Sequence, residues 1–421
     1  MIKEITPRGN LRSRVHVPGS KSTTNRALIC ASLAKGESLI RNASDSEDTS
    51  LMANGLNQLG VLVRKNGDAL IVNGTGGRLY APKFPIPVGN AGTTLRFLIS
   101  LAALAQGNVA FEGSRRMAER PINDLLDALR MLGVEAKVQE SLSLYNVQGG
   151  SLPGGIARLS GEKSSQFISS LLMVSPYSER DVTIEVEGDL ASRPYVDITM
   201  DVMLRFGAHV QHADYRRFNV AAGQRYAPGE FDVEPDASGA SYFLAAAAIC
   251  GGEIMVEGLR SNSLQGDVHF LRVLQQMGCD VSEDGDGVRL RSTGRLEGVE
   301  IDMNAMPDVV PTLAVTALFG RGVTRILNVG HLRHKESDRL GALATELRKL
   351  GACVTVLGDD LEIEPAQLRG ALLDTYDDHR LAMSFALAGL RVPGVKIENP
   401  DCVKKSFPTF WKEFEKLHEV P

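Results

Sequence analysis

Five times along the chain a helix-like run ends in the same way, on an apolar residue, two further positions, then Leu, Met or Phe, then glycine. The copies are Leu56 to Gly60, Leu129 to Gly133, Met203 to Gly207, Leu274 to Gly278 and Leu347 to Gly351. Their glycines fall 73, 74, 71 and 73 residues apart, and a degraded copy, Phe414 to His418, ends 67 residues later. Glycine in the left-handed conformation is the commonest helix stop, and each of these glycines precedes a small or β-branched residue and a strand-like run. One supersecondary unit is therefore repeated six times. In a chain of 421 residues that pattern excludes one ordinary core and points to two globular halves of three units each.

A second register runs through the repeat. Apolar helices are expected over Ala27 to Ala34, Leu95 to Ala105, Phe167 to Val174, Ser241 to Ile249, Pro311 to Phe319 and Leu381 to Leu390. They are apolar nearly all round, so they belong inside each half. A second helix in each unit, such as Asn123 to Leu132 or Arg339 to Leu350, alternates charge with leucine and should be half exposed. Short β-rich runs such as Val182 to Val186 and Val354 to Leu357 separate them, about four per unit. The expected fold is α/β, with parallel helices inside and sheets outside. The strand-like Met1 to Val17 precedes the first helix and the last unit is short, so the N-terminal strand is expected to complete the C-terminal half. The expected halves are residues 18–227, and residues 1–17 together with 228–421, with crossovers near Val17/Pro18 and at the Tyr226-Ala227-Pro228-Gly229 turn.

Composition narrows the partners. With 43% hydrophobic and 23% charged residues the chain reads as a globular protein, and a formal net charge of −5 argues against nucleic acid. The first residues have no apolar core of the kind a secretory signal needs, and the longest apolar runs, such as Tyr242 to Cys250, are too short to span a bilayer. A cytoplasmic protein without a membrane partner is expected. Cys30, Cys250, Cys279, Cys353 and Cys402 are odd in number and scattered, and read as reduced, packed thiols rather than disulfides or metal ligands.

The residues that look out of place gather at the starts of the apolar helices. The first is Pro18-Gly19-Ser20-Lys21-Ser22-Thr23-Thr24-Asn25-Arg26, and the second is Asn90-Ala91-Gly92-Thr93-Thr94 with Arg96. Ser164-Ser165-Gln166, Asp236-Ala237-Ser238, Pro307-Asp308 and Asp377-Asp378-His379-Arg380 follow. Helix N-termini favour anions, and helices stacked in parallel would aim all these ends at one face. A cleft between the halves would then suit a polyanionic small molecule. Asp308 opening a buried helix is a cap or a functional acid. Outside this register lie Arg120 before Pro121, the run His331 to Arg339, and Lys404-Lys405-Ser406-Phe407-Pro408. Lys335, Glu336 and Arg339 stand four and three apart, so all three are expected to lean over one helical face. Gly19-Ser20-Lys21-Ser22 is no nucleotide loop, because it lacks the Gly-Lys pair and the glycine five residues before it.

On these motifs the chain resembles the EPSP synthases, the enolpyruvyl transferases of the shikimate pathway. The resemblance runs end to end through Pro18 to Ser22, Gly89 to Thr93, Arg120 to Ile122, Ser164 to Gln166, Asp236 to Ser238, Lys335 to Arg339, Asp378 to Met383 and Lys405 to Pro408. It implies a two-domain inside-out α/β barrel of six repeats, with no metal and no cofactor. It implies transfer of the enolpyruvyl group of phosphoenolpyruvate to the 5-hydroxyl of shikimate 3-phosphate, with loss of phosphate through a tetrahedral intermediate. Asp308 would accept the hydroxyl proton, Glu336 would protonate the methylene carbon, and Lys21 would bridge both substrates. Shikimate 3-phosphate would meet Lys21, Ser22, Arg26, Ser164, Ser165, Gln166, Ser192, Tyr195, Asp308, His331 and Lys335. Phosphoenolpyruvate would meet Lys21, Asn90, Gly92, Arg120, Gln166, Arg339, Arg380 and Lys405, with glycine at 92 letting backbone approach the ligand. By this resemblance the 18–227 half holds most of the shikimate 3-phosphate site, and the other half holds the proton-transfer residues and part of the phosphoenolpyruvate site. A monomer that closes like a hinge on its substrates is expected.

Two positions depart from the family pattern, His331 where many members have Asn and Phe97 where many have Pro. The resemblance also implies inhibition by glyphosate in competition with phosphoenolpyruvate. The nearest rival is the sister transferase acting on UDP-N-acetylglucosamine, whose usual loop cysteine is missing from residues 112 to 121. A non-catalytic polyanion-binding protein on the same scaffold is the rival from another class. Retention of both Asp308 and Glu336 argues against it.

Overall fold

A computed structural model describes residues 1–418. The five repeat glycines all take positive φ, from 88° at Gly133 to 101° at Gly278. After each, the next N–H turns back to the carbonyl at the start of the signature: Val61 to Leu56 (3.0 Å), Val134 to Leu129 (2.9 Å), Ala208 to Met203 (2.9 Å), Cys279 to Leu274 (2.9 Å) and Ala352 to Leu347 (3.2 Å). These are Schellman stops, in which the apolar residues at both ends of the bond are buried together. The signature is thus a helix-termination device reused five times.

Six helices begin at the charged motifs and are buried along nearly their whole length: α1 (Lys21–Leu33), α2 (Gly92–Ala102), α3 (Ser165–Val174), α4 (Ala237–Cys250), α5 (Val310–Ala317) and α6 (His379–Gly389). Several apolar runs overshoot their helix, because the following chain is buried as well; Leu95 to Ala105 ends as helix at Ala102. Buried hydroxyls join neighbouring helices in both sets of three. Ser100 of α2 donates to Ser170 of α3 at 2.9 Å, and Thr312 of α5 lies 3.1 Å from Ser241 of α4 and 3.5 Å from Ser384 of α6.

The chain divides into two compact units, Gly19–Val233, and Met1–Pro18 with the chain from Glu234 onward. The second boundary lies beyond the Tyr226–Gly229 turn because Glu230–Asp232 pairs in parallel with Lys35–Arg41 and stays with the first set of helices. Among the described residues, three sheets surround the three buried helices of Gly19–Val233, and four, one of them only two-stranded, surround those of the other unit. In Gly19–Val233 one sheet has the order Glu230–Asp232, Lys35–Arg41, Ala69–Thr75, Leu62–Asn66, and a second runs Gly155–Ser160, Val182–Glu187, Arg217–Val220, Gln211–Ala213. The third is built on Ala105–Gly113. In the other unit the N-terminal segment supplies two edges: Leu11–Val15 runs parallel to Gly252–Glu257, and Ile2–Glu4 antiparallel to Lys396–Glu398.

Among the described residues no helix is long and apolar enough to cross a membrane. The five cysteines are free, but they are not all packed thiols. Cys353 is exposed, as the first residue of the outward-facing strand Cys353–Leu357, and Cys402 is half-buried.

Candidate active site

In the unit Gly19–Val233 three helix starts carry the polar residues. Ser20 caps α1 by accepting the Thr23 N–H, which leaves Lys21 as the first helical residue. The Lys21 ammonium is buried and paired with Asp48 at 2.8 Å, and Thr94 at the start of α2 donates to the Asp48 carbonyl at 3.0 Å. Nothing in the sequence pattern marks Asp48 as a partner of Lys21. It lies 27 residues away, in the first turn of the helix Glu47–Gln58, and reads there as an ordinary helix-start acid.

One turn further along α1, Arg26 is 1% exposed and fully engaged. It donates to Thr199 (2.7 Å), to the carbonyls of Ser22 (2.8 Å) and Tyr195 (3.1 Å), and to Ser169 (3.3 Å). Its guanidinium also lies over the rings of Phe97 and Tyr195. Burial lowers its pKa to about 10, so it remains a cation near neutrality. Phe97, the departure from the family pattern, is thereby part of the wall that holds Arg26. Ser192, in the left-handed region with φ 56°, turns the chain into the helix Pro194–Arg205, which carries Tyr195 and Thr199.

The start of α2 has no side-chain cap. Arg120 lies over it instead, donating to the carbonyl and side chain of Asn90 at 3.0 and 3.2 Å. A Cβ on Gly92 would stand 2.6 Å from one Arg120 nitrogen and 2.8 Å from its Cζ, so glycine is required there to seat the guanidinium. At the start of α3, Ser164 caps by accepting the Gln166 N–H, Ser165 is buried, and Gln166 bridges to α2. It accepts from Arg96 at 2.6 Å and donates to Thr93 at 3.2 Å. Arg96 in turn donates to the Pro121 carbonyl at 3.0 Å, which ties the loop after Arg120 to the same end.

The other unit concentrates its charge on two arginines. Asp308 is not a cap: it sits in the 3-10 turn Pro307–Val309 just before α5. Its carboxylate takes one bond from Arg339 (2.9 Å) and one from Arg380 (3.0 Å). Arg339 also donates to Glu336 (2.8 Å) and to Asp378 (2.8 Å), the residue that caps α6. Arg380 meets the Tyr242 hydroxyl at 3.3 Å. Both guanidiniums are buried, yet their pKa is held above the ordinary arginine value, that of Arg339 by Asp378, Glu336 and Asp308, and that of Arg380 by Tyr242 first and then by Asp308 and Asp236. Burial alone would push Asp308 up, but the charges of Arg380, Arg339 and Lys335 outweigh it and hold the carboxyl well below the usual range. His331 is kept neutral, its pKa lowered to about 3 by burial first and by Lys335 second.

Lys335, Glu336 and Arg339 do not share a helical face. Lys335 ends the 3-10 turn Gly330–His334, and the helix begins only at Arg339 with Asp338 as its cap. Glu336 reaches Arg339 through the loop between those two elements. Lys405 ends a further 3-10 turn, Pro400–Lys405, whose continuation is anchored where Phe407 packs against Phe243 and Phe410. The residues expected from the sequence thus form one group at the N-terminal ends of α1, α2 and α3 and another around the starts of α5 and α6. Asp48, Arg96 and Asp378 complete them as positioning partners. Among the described residues no cluster of three His, Cys, Asp or Glu side chains could hold a metal.

Residues 5–414 match the family described as EPSP synthase (3-phosphoshikimate 1-carboxyvinyltransferase). The chain belongs to the EPSP synthase family. A relative from Shewanella halifaxensis named 3-phosphoshikimate 1-carboxyvinyltransferase is 44% identical, over 98% of this chain and 98% of its own. One of the same name from Methanoculleus marisnigri is 45% identical, also over 98% of each chain. The fold is that of a solved EPSP synthase from Acinetobacter baumannii, with a TM-score of 0.82, 24% identity and coverage of 99% of this chain and 98% of that one. It is also that of an enolpyruvyl transferase from Streptomyces tendae, with a TM-score of 0.78 at 20% identity, over 99% and 97% of the two chains.

Proposed function

We infer that the chain is a 3-phosphoshikimate 1-carboxyvinyltransferase, transferring the enolpyruvyl group of phosphoenolpyruvate to the 5-hydroxyl of shikimate 3-phosphate with release of phosphate. The observation that carries the roles is the Asp308, Glu336 and Asp378 carboxylates gathered on Arg339 and Arg380. Two buried arginines holding two candidate proton-transfer acids suit a reaction that joins anions and moves protons in both directions.

In this reading Lys21, Asn90, Gly92, Arg120, Gln166, Arg339, Arg380 and Lys405 bind phosphoenolpyruvate. Lys21, Ser22, Arg26, Ser164, Ser165, Gln166, Ser192, Tyr195, Asp308, His331 and Lys335 bind shikimate 3-phosphate. Arg26 acts mainly by shaping the pocket, since its donors are already committed to protein acceptors. Asp308 takes the proton of the 5-hydroxyl as its oxygen attacks C2 of phosphoenolpyruvate, and Glu336 delivers a proton to the methylene carbon. In the elimination the new methyl carbon gives up a proton and the bond from C2 to the phosphate oxygen breaks.

The arginine pairing suggests how the base is activated. Held by two guanidiniums, Asp308 is a weak acceptor. Anionic phosphoenolpyruvate competes for Arg339 and Arg380, so its arrival would loosen their hold on Asp308 and Glu336 and raise the proton affinity of Asp308. The enzyme would thus be switched on by its own substrate. It acts as a cytoplasmic monomer, and glyphosate, competing for the same cations, inhibits it.

The test is phosphate release from phosphoenolpyruvate with shikimate 3-phosphate and, separately, with UDP-N-acetylglucosamine. Turnover with the first alone is expected. Turnover with the amino sugar, or with neither acceptor, would overturn the reading.

A further inference from the structure

The buried carboxyl of Asp267 has no part in the chemistry described so far. It lies on the 3-10 turn Gly266–His269 and is 4% exposed. One oxygen accepts the Ser238 hydroxyl from the first turn of α4, and the other, Oδ1, has no hydrogen-bond partner among the described residues. The turn is pinned by Gln265, whose side chain accepts the Ala237 N–H at 3.0 Å and donates to the Pro235 carbonyl at 2.9 Å. It packs against α4 and against the turn Pro307–Val309 that bears Asp308. A carboxyl built only to pin a loop would have both oxygens bonded, because a bare buried oxygen is costly.

The charged groups that act on it are Asp308 on the neighbouring turn, Arg380 on α6 and Asp236, the cap of α4, while Tyr242 lies on α4, and His269 and Arg272 further along its own chain. Burial first, then the charge of Asp308, pushes the Asp267 carboxyl up to about 7; the Ser238 bond and Arg380 oppose this and Asp236 adds to it. Asp308, on the neighbouring turn, is driven the opposite way. Two neighbouring carboxyls pushed apart in acidity are how a site separates a group that carries a proton from one that stays ionised.

We propose that Asp267 is a positioning residue for the Asp308–Arg380 pair, a proton-carrying carboxyl whose ionisation draws Arg380 from Asp308 and strengthens Asp308 as a proton acceptor. The proposal rests on the acceptor role of Asp308. Its step is a single ionisation: the Asp267 proton goes to solvent, the carboxylate gains the attraction of Arg380, and Asp308 loses part of it.

The experiment follows the protonated-carboxyl infrared band of the substrate-free enzyme between pH 5 and 9, alongside kcat and KM over the same range. The wild type should lose one carboxyl proton near pH 7, and Asp267→Asn should abolish that loss. Asp308→Asn should move it down by roughly one pH unit, by removing the neighbouring negative charge. Ser238→Ala should move it up and serves if Asp267→Asn does not fold. In turnover, Asp267→Asn should match the wild type near pH 6 and fall roughly threefold to tenfold behind it by pH 8, with KM little changed. A band insensitive to Asp267→Asn, or a titration unmoved in both Asp308→Asn and Ser238→Ala, overturns the proposal. Undiminished turnover in Asp308→Asn overturns the acceptor role itself, so the two failures are distinguishable.

Discussion

Gly92→Ala isolates one contact with a calculable cost. The new methyl carbon would begin 2.6, 2.8 and 2.9 Å from the three guanidinium atoms of Arg120, whereas ordinary contact starts at 3.4 Å. The guanidinium must retreat by about 0.8 Å, which stretches its 3.0 and 3.2 Å bonds to Asn90 beyond useful length. It is the far end of a flexible side chain, so the fold should absorb the move, and Tm should drop by no more than about 3 °C. The ligand cannot absorb it. A displaced charge-assisted bond is worth about 1.5–3 kcal/mol, so kcat/KM for phosphoenolpyruvate should fall roughly 10- to 150-fold while KM for shikimate 3-phosphate stays near normal. The assay is steady-state phosphate release for Gly92→Ala, Arg120→Ala and the double variant. If the methyl acts through Arg120, the double variant is no worse than Arg120→Ala alone. Additive losses would refute the reasoning and mean that alanine obstructs the ligand directly.

Asp308→Ala should cut turnover by at least about 10²-fold with a smaller effect on substrate affinity. It should also cost about 2–3 kcal/mol of stability, since Arg339 and Arg380 are buried and each loses a partner. Because the folded-state pKa of Asp308 is depressed, its share of stability is present above about pH 4 and disappears only on further acidification, which acid melts of wild type and variant will read. Asp267 runs the other way. Its pKa is raised to about 7, so the wild type loses stability as pH rises from about 4 to 7, and Asp267→Asn should melt higher than wild type at pH 8 and converge with it near pH 4. Lys21→Ala should slow turnover on the order of 10²–10³-fold, and adding Asp48→Ala should cost little more, because Asp48 acts through the same ammonium. Phosphate release should also slow in glyphosate at ~1 mM, corresponding to about 4 kcal/mol of binding; unaffected release would refute competition at these cations.

What the sequence discloses follows the range of the interactions involved. The Schellman stops are local, each made by six consecutive residues, so their glycines and leucines announce the period and with it the six-unit architecture. The helix starts are equally local, which is why Lys21, Gly92, Gln166, Asp308 and Arg380 stand out. Their partners do not. Asp48 and Asp267 acquire meaning only from neighbours on other elements, with their side-chain bonds reaching 27 and 29 residues along the chain. The spacing of Lys335, Glu336 and Arg339 misleads for a related reason: Asp338 caps the helix at Arg339, so helical periodicity does not extend back to the residues it seems to unite.

The pairing of Leu11–Val15 with Gly252–Glu257, and of Ile2–Glu4 with Lys396–Glu398, has a consequence for synthesis. These strands belong to sheets whose other strands are made more than two hundred residues later. The unit Gly19–Val233 holds its own sheets and can fold while translation continues, but the N-terminal segment must wait some 240 residues for its first partner, on the order of 10–50 s at ordinary elongation rates. During that interval its unpaired edges are exposed to other nascent chains. Arg12, Arg14 and Lys3 place charge on those waiting strands, the pattern by which edges resist mispairing, so their replacement by apolar residues should appear first as aggregation during expression rather than as lost stability.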